Sequence, residues 1–320
     1  MNTALRETDI AVATGDGPPL AGTLTLPAGP GPHPAALLLH GSGPLDRDGN
    51  SRKLALDLGQ PLSEALAAAG IATLRYDRRG TGDSPGDWRA SGFTDNRRDA
   101  VRALRTLAEH PSIRPGSVAV IGHSEGALHA MTLAARHEVR AAVLLAGFAR
   151  TGKEAMRWQA ASLFRSAPAP VRLLRRPLAA LGNGALARVA RTRTDVARVY
   201  GIPVNARWLR EMLVHDSRDD LAAVRAPVLA VTGGKDIQVP PADLAVIESL
   251  LPDGHAETHR VPDLTHVLRR DPARHTLGSY RRLLRGPVDS ELLGMVAAWL
   301  GDRLGARDDE GSAHGRTPTP

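Results

Sequence analysis

Short apolar runs alternate with longer stretches of helical period along the first 147 residues, the rhythm of a mostly parallel sheet whose strands are covered by helices on both faces. Residues 20–26 alternate apolar and polar like a half-buried strand and are placed to pair with 9–14. Residues 35–39, 71–76, 118–121 and 141–145 read as buried strands, separated by helices near 61–69, 95–110 and 125–136. After Gly147 this rhythm stops. Basic amphipathic stretches at 154–165 and 206–214 replace it, broken by Pro168, Pro170, Pro177 and Gly182-Asn183-Gly184, the last read as a turn. Strands and helices resume with a strand at 227–232, a helix at 241–251, a strand at 256–261 and a closing helix at 288–303. The pattern therefore predicts an α/β core made of residues 1–147 and 226–304, a helical insertion at 148–225, and a polar, disordered tail at 305–320.

Composition narrows the chemistry. The chain has no cysteine, which excludes disulfides, thiolate-bound zinc, iron–sulfur clusters and a thiol nucleophile. The first residues carry neither a basic n-region nor an apolar h-region, and nowhere do about 18 apolar residues run together, so the chain is expected to be soluble and cytoplasmic. The net charge of +7 is local: residues 148–225 hold 15 Arg/Lys against 6 Asp/Glu, a net of +9, which leaves −2 for the remainder. No nucleic-acid module and no aromatic-interleaved basic stripe accompanies that charge, so nucleic acid is not the expected partner.

The pattern G-x-S-x-G occurs twice, at Gly122-His123-Ser124-Glu125-Gly126 and at Gly82-Asp83-Ser84-Pro85-Gly86. A nucleophile elbow needs a strand running into a helix, small residues at the turn, and an N–H after the serine to donate to an oxyanion. Ser84 fails two of these three requirements, because Pro85 has no N–H and no helical face follows. Ser124 follows a buried strand, precedes a good helix, and has Glu125 behind it. The competing reading of Ser124 is a helix N-cap.

A serine hydroxyl needs a histidine to take its proton and a carboxylate to orient that histidine. Asp236 ends a strand and a glycine turn, and His266 lies in the loop after the next strand, in the order Ser, Asp, His. His255, His259 and His275 compete with His266 but lie before, within or well beyond that strand. Asp263 stands so near His266 that it is expected to shape the loop, and Asp216, Asp219 and Asp220 to cap the end of the insertion. A second oxyanion donor is expected from His40-Gly41-Ser42-Gly43-Pro44, either the N–H of Ser42 or that of Gly43, beside the N–H of Glu125.

With these residues in place, the sequence resembles the α/β-hydrolase superfamily, in particular bacterial carboxylesterases and serine-aminopeptidase-like hydrolases, from about residue 10 to 303. The resemblance is carried by Leu38-Leu39-His40-Gly41-Ser42-Gly43-Pro44, Tyr76-Asp77-Arg78-Arg79-Gly80-Thr81-Gly82-Asp83-Ser84, the Ser124 motif, Gly233-Gly234-Lys235-Asp236 and Leu264-Thr265-His266. It implies a mostly parallel eight-stranded sheet, a structural loop at 82–86, and an insertion that forms a cap over the site. It also implies a cofactor-free, metal-free serine hydrolase of small acyl esters.

An aminopeptidase, amidase, thioesterase or acyltransferase would use the same triad, and a ligand-binding member of the fold would use none of it. Half of the ten aromatic residues lie in the insertion, and Trp158, Phe164 and Trp208 are the candidates to line an acyl pocket or to pack the cap on the core. Arg47 and Asp48 either line the pocket or bridge to each other in a solvated loop.

Overall fold

The computed structural model describes residues 5–15, 17–167, 174–273 and 275–306. Two antiparallel strands, β1 (Arg6–Val12) and β2 (Leu20–Leu26), come first. There follow β3 (His33–Leu39), α1 (Gly59–Ala68), β4 (Ala72–Tyr76), α2 (Phe93–Ala108), β5 (Ile113–His123), α3 (Glu125–Arg136) and β6 (Ala141–Leu145). The insertion contains α4 (Gly152–Ser166), α5 (Arg175–Ala190), the hairpin β7 (Val196–Val199) and β8 (Ile202–Asn205), α6 (Ala206–Val214) and α7 (Ser217–Ala223). The chain then returns through β9 (Val228–Gly233), α8 (Asp243–Leu250), β10 (Ala256–Val261), α9 (Tyr280–Leu283) and α10 (Ser290–Leu304).

The main sheet has eight strands in the order β1-β2-β4-β3-β5-β6-β9-β10, antiparallel as far as β4 and parallel beyond it. This is the sheet that the resemblance implies. Each parallel strand sends alternate residues to two separate cores, because successive side chains of a strand point to opposite faces. Leu37, Val120, Leu144 and Ala230 pack with α2, α3 and α8 on one face. Leu38, Ile121, Val143 and Leu229 pack with α1 and α10 on the other. The chain steps from β3 to β4 on one side and to β5 on the other, so the loops leaving β3 and β5 diverge at the carboxyl edge of the sheet, where open α/β sheets place their sites.

The insertion departs from expectation twice. Gly182-Asn183-Gly184 is no turn: α5 runs unbroken from Arg175 to Ala190. Pro177 stands third in that helix, where the backbone has no intrahelical acceptor for an N–H to lose. The glycine propensity cost is outweighed by packing, with Ala185 and Val189 set against Val199 and Ala206. A β-hairpin also lies within the supposedly all-helical segment. Its turn residues Tyr200 (φ +50°) and Gly201 (φ +82°) both take positive φ, the conformation of a two-residue type I′ turn. The β-branched Val196 and Val199 before a Tyr-Gly pair were the only local signal of it. Pro168 and Pro170, and the tail from 307 to 320, lie outside the described residues. Among the described residues no helix is long and apolar enough to cross a membrane.

Two glycines give a test of how tightly the carboxyl edge is packed. A Cβ at Gly233 would stand 2.0 Å from the Leu264 carbonyl oxygen, whereas one at Gly182 would have nothing within 4 Å. Gly233→Ala is expected to lower stability by about 1–3 kcal/mol or more. Gly182→Ala, in an exposed helix, is expected to be neutral or stabilising by up to about 1 kcal/mol. Urea midpoints of the two variants check this; an unchanged midpoint for Gly233→Ala contradicts the packing described.

Candidate active site

Ser124 sits between β5 and α3 in a conformation few non-glycine residues hold, φ +56° and ψ −118°. Such backbone costs on the order of 1–3 kcal/mol and must be held by its surroundings. The holding is done at Gly122 and Gly126, where an added Cβ would lie 2.1 Å from the Gly126 carbonyl oxygen and 2.0 Å from that of Leu39. The Ser124 N–H donates to the Leu145 carbonyl at 2.9 Å, which fixes the turn to the neighbouring strand. Although Ser124 precedes the helix, its side chain makes no capping bond. Its Oγ instead lies 3.1 Å from His266 Nε2.

His266 and Asp236 arrive from adjacent loops. Gly233 and Gly234 let the 262–265 backbone pass close by, since Cβ atoms there would collide with the carbonyls of Leu264 and Pro262. His266 Nδ1 is 2.8 Å from Asp236 Oδ2, while Asp236 Oδ1 accepts the backbone N–H groups of Gln238 (2.7 Å) and Val239 (2.8 Å). Each carboxylate oxygen thus has its own partners, and both residues are buried. His123 Nε2 donates to the His266 backbone carbonyl at 2.9 Å and holds that loop from below. Burial lowers the His123 pKa to about 3, so it is a neutral support. Of the competing histidines, His259 pairs with Glu257 and His275 with Asp271. Asp263 pairs with Lys235, and Asp216 caps α7.

Ser42 is exposed in the loop after β3, and Gly43 beside it has φ +105°. A Cβ on Gly41 would come within 3.2 Å of the Ser124 Cβ, so this loop borders the serine directly. Glu125 begins α3, where the first N–H groups have no intrahelical acceptor. Its side chain, a charged group that sequence reasoning missed, is buried at 2% exposure. The carboxylate Oε1 accepts from Asn96 Nδ2 (3.1 Å), His129 Nε2 (3.1 Å) and Arg78 Nη1 (3.3 Å), and Oε2 from Trp208 Nε1 (3.0 Å). Burial alone would raise its pKa, but Arg78, His129 and the Ser42 hydroxyl outweigh it and hold the group at about 2.

Ser84 is built into the frame instead. Its Oγ donates to the Asp77 carbonyl at 2.8 Å and accepts the Ala21 N–H at 2.9 Å, tying β2 to the loop after β4. Arg47 and Asp48 do not bridge to each other. Arg47 pairs with buried Asp77 and with Asp83, and Asp48 pairs with buried Arg75, because each buried charge needs a partner of its own. Trp208 reaches the site through Glu125. Phe164 lines a cavity of about 1720 Å³ inside the insertion whose lining includes none of Ser124, Asp236 or His266. Trp158 is half-buried, with the Arg165 guanidinium 5.9 Å from its ring centre. Part of the insertion's positive charge pins it to the core: Arg150 pairs with Asp243 and Arg207 with Asp95.

A family model described as serine aminopeptidase, S33, matches residues 57–273. The chain belongs to that family. Esterase EstD of Thermotoga maritima is 27% identical over 290 residues, covering 88% of this chain and 65% of EstD, so the chain spans a little under two thirds of that relative's length. Among solved structures, the α/β hydrolase GrgF from Penicillium sp. sh18 superposes with a TM-score of 0.62 at 18% identity, covering 94% of this chain and all of GrgF. Est1E from Butyrivibrio proteoclasticus, solved with ferulic acid bound, gives 0.60 at 17% identity, covering 94% and 99%. The fold is the α/β-hydrolase fold. In this serine aminopeptidase S33 member, the matched region contains both G-x-S-x-G motifs and Asp236 and His266 but begins after the Ser42 loop.

Two predictions follow from the geometry. Ser84→Ala leaves a buried N–H without its acceptor and is expected to cost about 1–3 kcal/mol of stability while activity per folded molecule stays within about twofold. Ser124→Ala is expected to behave in the opposite way, and paired urea and activity measurements on the two variants check the exchange. The second concerns acid. Burial lowers His40 to about 4 and His123 to about 3, so both bind protons more readily in the unfolded chain, near the ordinary 6.5. Their contribution is complete above pH 6.5 and is lost as pH falls toward 4 and 3. Urea unfolding at pH 7 and 5 should show stability already falling across that interval; a flat profile contradicts the burial of two neutral histidines.

Proposed function

We propose that this chain is a serine hydrolase that cleaves carboxylic esters through an acyl-enzyme on Ser124. The observation that carries the reading is the relay of Ser124, His266 and Asp236, with spacings of 3.1 and 2.8 Å, at a strained turn heading a helix. Ser124 Oγ attacks the ester carbonyl carbon as His266 Nε2 takes its proton, and Asp236 orients the ring and stabilises the imidazolium. The carbonyl oxygen becomes an oxyanion, which the N–H groups of Glu125 and Ser42 receive, with Gly43 as the alternative to Ser42. Collapse of the tetrahedral species breaks the ester bond, and the alcohol leaves with the proton from His266. Water, deprotonated by His266, then releases the acid and restores Ser124. The sequence requires only this chain, an acyl ester and water.

The insertion follows β6 at the carboxyl edge and acts in this reading as a cap. Its carboxylates favour ester over aminopeptide substrates. Glu211 is taken by Arg207 and the Thr94 N–H, Asp216 and Glu154 by Arg218, and Asp220 by Arg136 and Thr132, so these four are committed to other partners than a substrate ammonium group.

Turnover of nitrophenyl acetate and butyrate, set beside aminoacyl nitroanilides, tests the reading. Esters are expected to be the better substrates, and Ser124→Ala to lose about a thousandfold or more in kcat. Ser124→Ala with His266→Ala should then be no slower than Ser124→Ala alone, since the residues act as one unit. Faster cleavage of the anilides, or full activity in Ser124→Ala, would overturn it.

A further inference from the structure

We propose that the Glu125 carboxylate is a positioning residue which makes the oxyanion hole depend on the insertion being seated, with Trp208 as the contact that reports it. The proposal rests on the reading of Ser124 as nucleophile and adds a role to the side chain that follows it. For an oxyanion donor at this position only the backbone N–H is needed; a small residue would supply it. Here the side chain is an ionised carboxylate, buried, and surrounded by donors from four parts of the fold.

Those donors are not interchangeable. Asn96 on α2 and His129 on α3 hold Oε1 from the core side. Arg78, from the loop after β4, donates to Oε1 through Nη1 and to the His40 backbone carbonyl through Nη2 at 2.5 Å. One guanidinium therefore ties α3 to the loop that carries Ser42 and Gly43. The two backbone N–H groups assigned to the oxyanion are thus spaced by a single Glu125–Arg78 pair.

The remaining oxygen, Oε2, accepts from Trp208 Nε1 on α6 of the insertion. That helix is itself docked on the core. Its capping residue Asn205 donates to the carbonyls of Trp88 and Ser91, Arg207 pairs with Asp95, and Glu211 accepts the Thr94 N–H. Lifting α6 would strip a buried carboxylate oxygen of its neutral donor, a change that the charge can answer only by moving toward Arg78 or by drawing in water. Either movement displaces the first residue of α3 and with it the N–H that faces the oxyanion.

The experiment compares wild type, Trp208→Phe, Glu125→Gln and the double variant on nitrophenyl acetate. It also measures inhibition by a trifluoromethyl ketone, whose serine adduct carries an oxyanion. Trp208→Phe keeps the ring and removes only the N–H, so it carries the test even where Glu125→Gln folds poorly. The expected result is a fall of about tenfold in kcat with KM within about threefold, and a matching loss of ketone affinity. The double variant should be no worse than Glu125→Gln alone, because both remove one linkage. Unchanged kcat and ketone affinity in Trp208→Phe would overturn the proposal. So would a loss that falls on KM and grows with acyl length, which would make Trp208 a pocket wall, or losses that multiply in the double variant. Ser124→Ala run alongside separates the two levels: if it stays active the nucleophile reading fails, whereas if it is inactive and Trp208→Phe is normal, only the role of Glu125 fails.

Discussion

The backbone of Ser124 is bent into a conformation it would not hold alone, and most of what surrounds it can be understood as the means of holding it. Three carbonyl oxygens crowd the turn and its neighbours so closely that Gly122, Gly126 and Gly233 have no space for a side chain. Those carbonyls come from the end of β3 (Leu39), the start of α3 (Gly126) and the loop after β10 (Leu264), elements whose places are fixed by two cores, one on each face of the sheet. A loss of packing several residues away therefore reaches the serine through backbone contacts with no soft side chain to absorb it.

Charge does the second part of the work. Buried carboxylates stand at Asp77, Asp99, Asp220, Glu125, Asp236 and Asp243, and each has named donors from another segment. Burying an unpaired charge is costly, so these groups act as fixed points that tell loops where to lie. Asp243 and Asp95 hold arginines of the insertion, and Asp220 of the insertion holds Arg136 and Thr132 of the core. The basic character of residues 148–225 is in part the complement of acids beneath it. Neutral buried histidines, His40 and His123, do the same positioning without charge.

The sheet was legible because its central strands are short apolar runs bounded by turns, as strands covered on both faces must be. That Ser124, Asp236 and His266 come together was legible because strand ends, glycine turns and chain order all restrict where they can stand. Pro85 disposed of Ser84 at the level of a missing N–H, and the structure supplies Ser84 with a structural bond instead. Local signals failed where tertiary packing decides. Gly182 and Gly184 read as a turn, but a helix face packed on Val199 carries them through. Arg47 and Asp48 are neighbours in sequence, yet each answers a different buried charge brought near only by the fold. For Glu125 the motif points only to its backbone N–H; that its carboxylate gathers Arg78, Asn96, His129 and Trp208 depends on contacts up to 83 residues apart.

In the proposed function one serine, and only in the folded turn, is nucleophilic. Treatment of native protein with a fluorophosphonate, followed by intact mass and peptide mapping, tests it most directly. One adduct per chain is expected, on Ser124, formed by native protein and not by protein unfolded in urea, with Ser84 and Ser42 unmodified. No adduct, or one on another serine, would contradict it.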